Sequence, residues 1–176
     1  MNPAKIAIGG IVVSALAAGI ALYYLQVYAF YDEVSSDAED VRLTTYATQA
    51  PEPIPFDNFQ GIDANSSPLR YRACFTTPLS DALLTETYVS IENAEPRTAP
   101  SWFDCFDAEA IGAALEDGQA FAYMGTENIT YGIDRIVAIF PDGRGYAWHQ
   151  INACGEVVFD GRRPPENCPP APESLQ

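Results

Sequence analysis

Four cysteines, one histidine and a surplus of carboxylates are the reactive side chains of this 176-residue sequence. The cysteines are Cys74, Cys105, Cys154 and Cys168. Their spacing contains no C-x-x-C and no adjacent Cys/His pair, so neither a poised dithiol nor a zinc site is written in it. An even set of widely spaced cysteines predicts two structural disulfides in an oxidising compartment. Three connectivities are open, and pairing near neighbours gives Cys74–Cys105 and Cys154–Cys168. The second would tie a proline-rich tail back to the domain and contribute roughly 3 kcal/mol through loop closure.

His149 is the sole histidine and lies in Tyr146-Ala147-Trp148-His149-Gln150, on a predicted strand. A lone histidine becomes a general base when a carboxylate orients it, but it cannot build a multi-histidine metal site. The expectation is a partly buried side chain that donates one hydrogen bond. Asp104 and Asp107 sit three apart, and Asp32 to Asp40 is a charge run; neither matches a calcium loop, so solvated acids and a helix cap are expected. No nucleophile elbow, phosphate-binding glycine loop or dinucleotide fingerprint occurs. The expected catalytic residues, metals and cofactors are therefore none. Arg70, Arg72 and Arg135 all fall on predicted strands. They are candidates for holding an anion or ligand in a groove; the alternative is pairing with local carboxylates. Asn65-Ser66-Ser67 and Asn128-Ile129-Thr130 have the form of glycosylation sequons, which matter only in a eukaryotic secretory pathway.

Charge narrows the partners. All 24 Asp and Glu follow Phe30, where eight Arg oppose them, for a formal charge of −16; the sole lysine is Lys5. Such a domain repels phosphates, so nucleic acid binding is excluded as an expectation, and basic proteins or cations are attracted.

Ile6 to Phe30 holds no charged residue. As a helix it would span roughly 37 Å at about 1.5 Å per residue, enough to cross a bilayer core with some tilt. Tyr23, Tyr24, Tyr28 and Tyr31 suit the headgroup level at one end, and Lys5 marks the other. Charge asymmetry predicts a cytoplasmic N-terminus with the rest outside. The rival is a signal peptide cleaved near Ala15, Ala17 and Ala18, but apolar character continues through Ile20 and Leu25. Gly10, Ser14, Ala17 and Ala21 share one helix face, where small side chains would let a second membrane helix approach.

The elements that must position these residues follow in order. Residues 1–31 form the anchor. Residues 32–68 are expected as an acidic, proline-containing linker, with Ile54, Phe56, Phe59 and Ile62 packing along the domain. Residues 69–162 are expected as an exported α+β domain: an antiparallel sheet with two short helices. Leu69 to Phe75 alternates like a strand, and Thr77-Pro78 begins a helix toward Tyr88. Asp107 caps a second helix over 108–117, ended by Gly118. Strands are expected over 119–124, 131–140, 145–152 and 156–159, with a hairpin turn at Pro141-Asp142-Gly143-Arg144. Residues 163–176 form an extended proline-rich tail held by the second disulfide.

Four stretches carry a likeness: Phe59-Gln60-Gly61-Ile62-Asp63, Pro68-Leu69-Arg70-Tyr71-Arg72-Ala73-Cys74-Phe75, Trp102-Phe103-Asp104-Cys105-Phe106-Asp107 and Tyr146-Ala147-Trp148-His149-Gln150. With the anchor, the chain resembles a family of single-pass exported proteins from alphaproteobacteria whose role is not defined. The resemblance implies an inner-membrane anchor, a periplasmic domain and no particular activity. A histidine-kinase label sometimes attached to such proteins finds no support, since no ATP-binding glycine motif is present. The expected function is that of a non-enzymatic accessory protein meeting a larger membrane assembly or a basic periplasmic protein. The alternative is a ligand-binding or sensing domain that works through a partner.

Overall fold

The structure, a computed structural model, describes residues 3–36 and 41–173. Asp37, Glu39 and Asp40 of the acidic run, the first two residues and residues 174–176 lie outside the described residues. The chain divides into two compact units, Met1–Asp32 and Glu33–Gln176.

The first unit is helix α1, Pro3–Val27, of 25 residues. It is apolar on every side and buries none of its residues. A helix without a polar face has no amphipathic route to a water-facing surface. Its length and composition suffice to cross a membrane, and a signal sequence near an N-terminus has the same properties. Gly10, Ser14, Ala17 and Ala21 are all exposed, and the Ser14 hydroxyl donates to the Ile11 carbonyl at 3.0 Å.

The second unit is α+β. In chain order its elements are β1 (Asp32–Val34), which begins at the boundary, β2 (Arg42–Thr44), β3 (Pro51–Pro53), β4 (Asp57–Asp63), β5 (Arg72–Thr76), α2 (Asp81–Thr87), α3 (Ala108–Glu116), β6 (Phe121–Thr130), β7 (Ile133–Ile139), β8 (Arg144–Ile151) and α4 (Ala153–Phe159). Six strands form one sheet in the order β1-β4-β5-β8-β7-β6, and β2 and β3 make a separate ribbon. The strand pairs β4–β5, β5–β8, β7–β8 and β6–β7 are antiparallel.

One face of the sheet carries Tyr71, Ala73, Phe75, Tyr123, Val137, Ile139 and Ala147. Val41, Leu43 and Ile54 around the ribbon and Leu84 from α2 close over them as one core. On the opposite face Trp148 is fully buried and its ring lies 6.3 Å from that of Phe106. The Cys74–Cys105 disulfide bonds β5 to the segment that brings Phe106 there. The edge strand β6 is partly covered by residues 89–91: Ile91 N–H donates to Ala122 O and Met124 N–H to Val89 O, each at 2.8 Å. Covering the edge removes a template for unwanted strand pairing.

The structure corrects three expectations. Residues 32–68 are not a linker, because they supply four strands and bury Val41, Leu43, Ile54 and Ile62. Proline at alternate positions signalled extended chain, but Pro51 and Pro53 sit in β3 of a two-stranded ribbon, whose outer side needs no amide donor. Residues 156–159 are not a strand but the end of α4. Asn152 caps that helix by accepting from the Cys154 and Gly155 amides at 3.0 Å. A short apolar run such as Val157-Val158-Phe159 fits either element, and the cap decides. Finally, α2 starts three residues later than Thr77-Pro78 suggested. Ser80 is the cap, while the buried Thr77 donates its hydroxyl to Pro55 O and its amide to Gly143 O. The helix over 108–116 forms as expected, with the Asp107 side chain accepting from the Glu109 and Ala110 amides and Gly118 at φ +68° beyond its end. The 141–144 hairpin turn also forms, with Gly143 at φ +86°.

Candidate functional site

His149 and Arg135 are register partners on β8 and β7. Alternation along each strand turns both toward the face that carries Tyr71. The His149 ring stacks on Tyr71 with centroids 4.8 Å apart, and the Arg135 guanidinium lies 3.9 Å from the Tyr71 ring centre. Arg135 Nε–H donates to His149 Nε2 at 3.1 Å, and His149 Nδ1 meets the Pro68 carbonyl. These partners fix the tautomer: the proton sits on Nδ1, and Nε2 accepts. Burial, then the Arg135 charge, pushes the His149 pKa down to about 4; Arg72 adds to this and the Pro68 carbonyl opposes it. Both ring nitrogens are thus committed to joining the residues before β5 to β7 and β8.

Arg72 points to the other face of the sheet. It is buried and spreads its guanidinium over carbonyls: Nε to Arg97 O at 2.7 Å, Nη1 to Leu69 O at 2.8 Å and Tyr71 O at 2.6 Å, and Nη2 to Thr98 O at 3.2 Å. A buried cation held by carbonyls fastens a loop to a strand, because each bond to a charged donor is stronger than a neutral one. Arg70 is half-buried and precedes β5. The structure therefore does not gather Arg70, Arg72 and Arg135 into one anion-binding groove. Arg72 and Arg135 lie on opposite faces, since Arg135 stacks on Tyr71, the strand neighbour of Arg72.

The cysteines pair as near neighbours, Cys74 with Cys105 and Cys154 with Cys168. The second bond ties the tail to α4. That helix is seated by a polar network absent from the sequence expectations. The Asp134 carboxylate, buried on β7, accepts from Asn128 N–H at 2.8 Å and from Asn152 Nδ2 at 2.7 Å. Asn128 Oδ1 accepts from Gly132 N–H and from Asn152 Nδ2, each at 3.0 Å. The Asn128 side chain, in one of the two sequons, thus braces the β6–β7 turn. Only the Asn-x-x-x-Gly spacing of Asn128 and Gly132 hinted at it.

Concavity lies elsewhere. A cleft of about 410 Å³ opens between Glu33, Phe59, Gln60 and Gly61 on one side and Trp102, Phe103, Asp104 and Cys105 on the other. Two further depressions share its walls in turn, one past Phe103, Asp104, Asp107 and Glu109, the next past Glu109, Glu95 and Glu116. Among the described residues no group of three or more His, Cys, Asp or Glu is arranged to hold a metal ion.

Comparison with curated proteins returns no match, and neither does comparison with solved structures. The model of a family of unknown function, DUF6446, matches residues 41–169. That span holds the ribbon, five of the six strands of the large sheet, both disulfides and the Arg135–His149–Tyr71 cluster. It begins after α1, so the match carries no information on that helix. On this match, which covers most of its length, the chain belongs to the DUF6446 family.

Proposed function

We propose that the chain is a membrane-anchored accessory protein that works by contact with a larger membrane assembly and not by catalysis. The observation that carries this reading is α1: twenty-five residues, apolar on all sides with none of them buried, on an acidic domain closed by two disulfides. In this reading α1 is retained and not cleaved, because its apolar run continues seven residues past Ala18 to Leu25. Lys5 at one end and the acidic residues after the tyrosines at the other favour a cytoplasmic N-terminus and a periplasmic domain in a bacterial inner membrane. Disulfides accord with that compartment. Gly10, Ser14, Ala17 and Ala21 form the face on which a partner helix would pack, and the back-bonded Ser14 hydroxyl leaves that face without an unsatisfied donor.

The ligand-sensing alternative called for a pocket with an arginine among aromatics. The cleft beside Phe59 and Trp102 is walled by Glu33 and Asp104 and by none of Arg70, Arg72 and Arg135, which favours a cationic partner over an anionic ligand. Mild-detergent purification from native membranes, followed by mass spectrometry, tests the reading. A membrane protein recovered in fixed ratio supports it, and a chain that always elutes alone contradicts it.

A further inference from the structure

The two edges of the large sheet are finished differently. β6 is partly covered by residues 89–91. The other edge is β1, a strand of only three residues. Asp32 and Glu33 are exposed, and Val34 alone is half-buried, packed against the core. Val34 has a socket in β4, at Gly61. A Cβ on Gly61 would lie 3.1 Å from the Val34 Cβ and 2.8 Å from the Phe59 ring, so any side chain at that position would crowd Val34 out. Glu33 and Val34 also belong to the wall of the 410 Å³ cleft that Trp102 and Asp104 share. The rest of the sheet does not lean on β1. The strands β4, β5, β8, β7 and β6 carry Ile62, Ala73, Ala147, Val137 and Tyr123, all buried, and the span matched by the family model, 41–169, holds these five strands and omits β1.

We infer that β1 is a strap: it lifts off Gly61 in a local opening that takes away part of the cleft wall and leaves β4 as a bare sheet edge, while the other five strands stay folded. An element opens locally, at a free energy well below that of global unfolding, when few buried contacts and few ladder bonds hold it. β1 meets that description with three residues and one half-buried side chain. Its position gives the opening a consequence. Residues 28–31 alone separate the end of α1 from β1, so the strap is the first part of the domain that a displacement of that helix reaches. A contact that favours the open form shifts the balance by its difference in affinity for the two forms, and by no more. The inference goes beyond the accessory reading and does not require it.

Native-state hydrogen exchange of the full chain in detergent micelles, read residue by residue by NMR at rising sub-denaturing urea, tests the strap. The Val34 amide and the β4 amides not bonded to β5 should exchange at least about a hundredfold faster, relative to their intrinsic rates, than the slowest amides of β7 and β8, and with little dependence on urea. Asn152→Ala separates local from global opening. Asn152 seats α4 on Asp134 of β7, a contact that stays made when β1 lifts. Its loss should speed the slowest β7 and β8 amides about thirtyfold or more and leave the Val34 and β4 set within about twofold of the parent. Val34→Ala should speed that set about fivefold. If Asn152→Ala accelerates both sets alike, β1 leaves only when the whole domain unfolds and the strap is overturned. The same urea dependence for both sets in the parent would overturn it too, and decides the matter even where the variant does not fold. An unchanged Val34 and β4 set in Val34→Ala would also overturn it, because the seat on Gly61 would then hold nothing.

Discussion

Arg135 donates from Nε to Nε2 of His149 over 3.1 Å, so a histidine that must stay neutral holds a fixed cation against its only free lone pair. The Pro68 carbonyl accepts a hydrogen bond from Nδ1–H, so a second proton could go only to Nε2 and would place two cations in contact. The pair joins β7, β8 and the turn before β5 on the core side of the sheet.

A pH dependence follows from that relation. The His149 pKa is about 4 in the folded chain, against an ordinary value near 6.5. As pH falls below 6.5 the unfolded chain takes up the proton first, so stability from this group is complete above 6.5 and lost progressively down to about pH 4. The loss amounts to at most about 3 kcal/mol. Urea unfolding of the parent and of His149→Gln at intervals across this window isolates it, since the carboxylates titrate in both. The parent should lose more stability than the variant.

The seat of α4 predicts a second loss. Asn152→Ala removes a helix cap and one donor to the buried Asp134 carboxylate together. Denaturant unfolding should register a destabilisation of about 2–3 kcal/mol.

Two glycines should respond oppositely to alanine. A Cβ on Gly155 would lie 2.2 Å from the Gly132 carbonyl oxygen, and Gly132 itself is at φ +76°, so neither backbone can yield cheaply. Gly112 lies inside α3 and meets nothing nearer than 4.0 Å. Gly155→Ala should therefore lower the thermal midpoint, while Gly112→Ala should stabilise by about 0.5–1 kcal/mol.

The tail disulfide gives a fourth outcome. Cys154 and Cys168 close a loop with a sequence separation of 14, so the double serine variant should lose roughly 3 kcal/mol on the chain-entropy model. Tryptic cleavage after Arg162 should also release the tail of that variant on a non-reducing gel, whereas in the parent the Cys154–Cys168 bond keeps the cut tail attached.

Much of the fold was legible because local signals agreed with tertiary ones. Asp107 and Gly118 bracket α3, Gly143 closes the β7–β8 hairpin, and alternation along Tyr71, Ala73 and Phe75 marks the core face of β5. Residues 41–63 read as linker because proline dominates the signal there, while burial of Leu43 and Ile54 depends on a sheet assembled from residues far along the chain. The site was legible only in its components. Arg72 and Arg135 stand on strands as expected, but strand parity on two different elements sends them to opposite faces, and no single-strand pattern reveals that.

Action as an anchored accessory protein depends on α1 remaining on the chain in the membrane with its domain in an oxidising space. The most direct measurement is the intact mass of the protein in alkali-washed membranes from expressing bacteria, taken without reductant. A full-length chain with both disulfides closed is the expected result. A soluble chain beginning after Ala15, Ala17 or Ala18, or a membrane-bound chain with four reduced thiols, would contradict it.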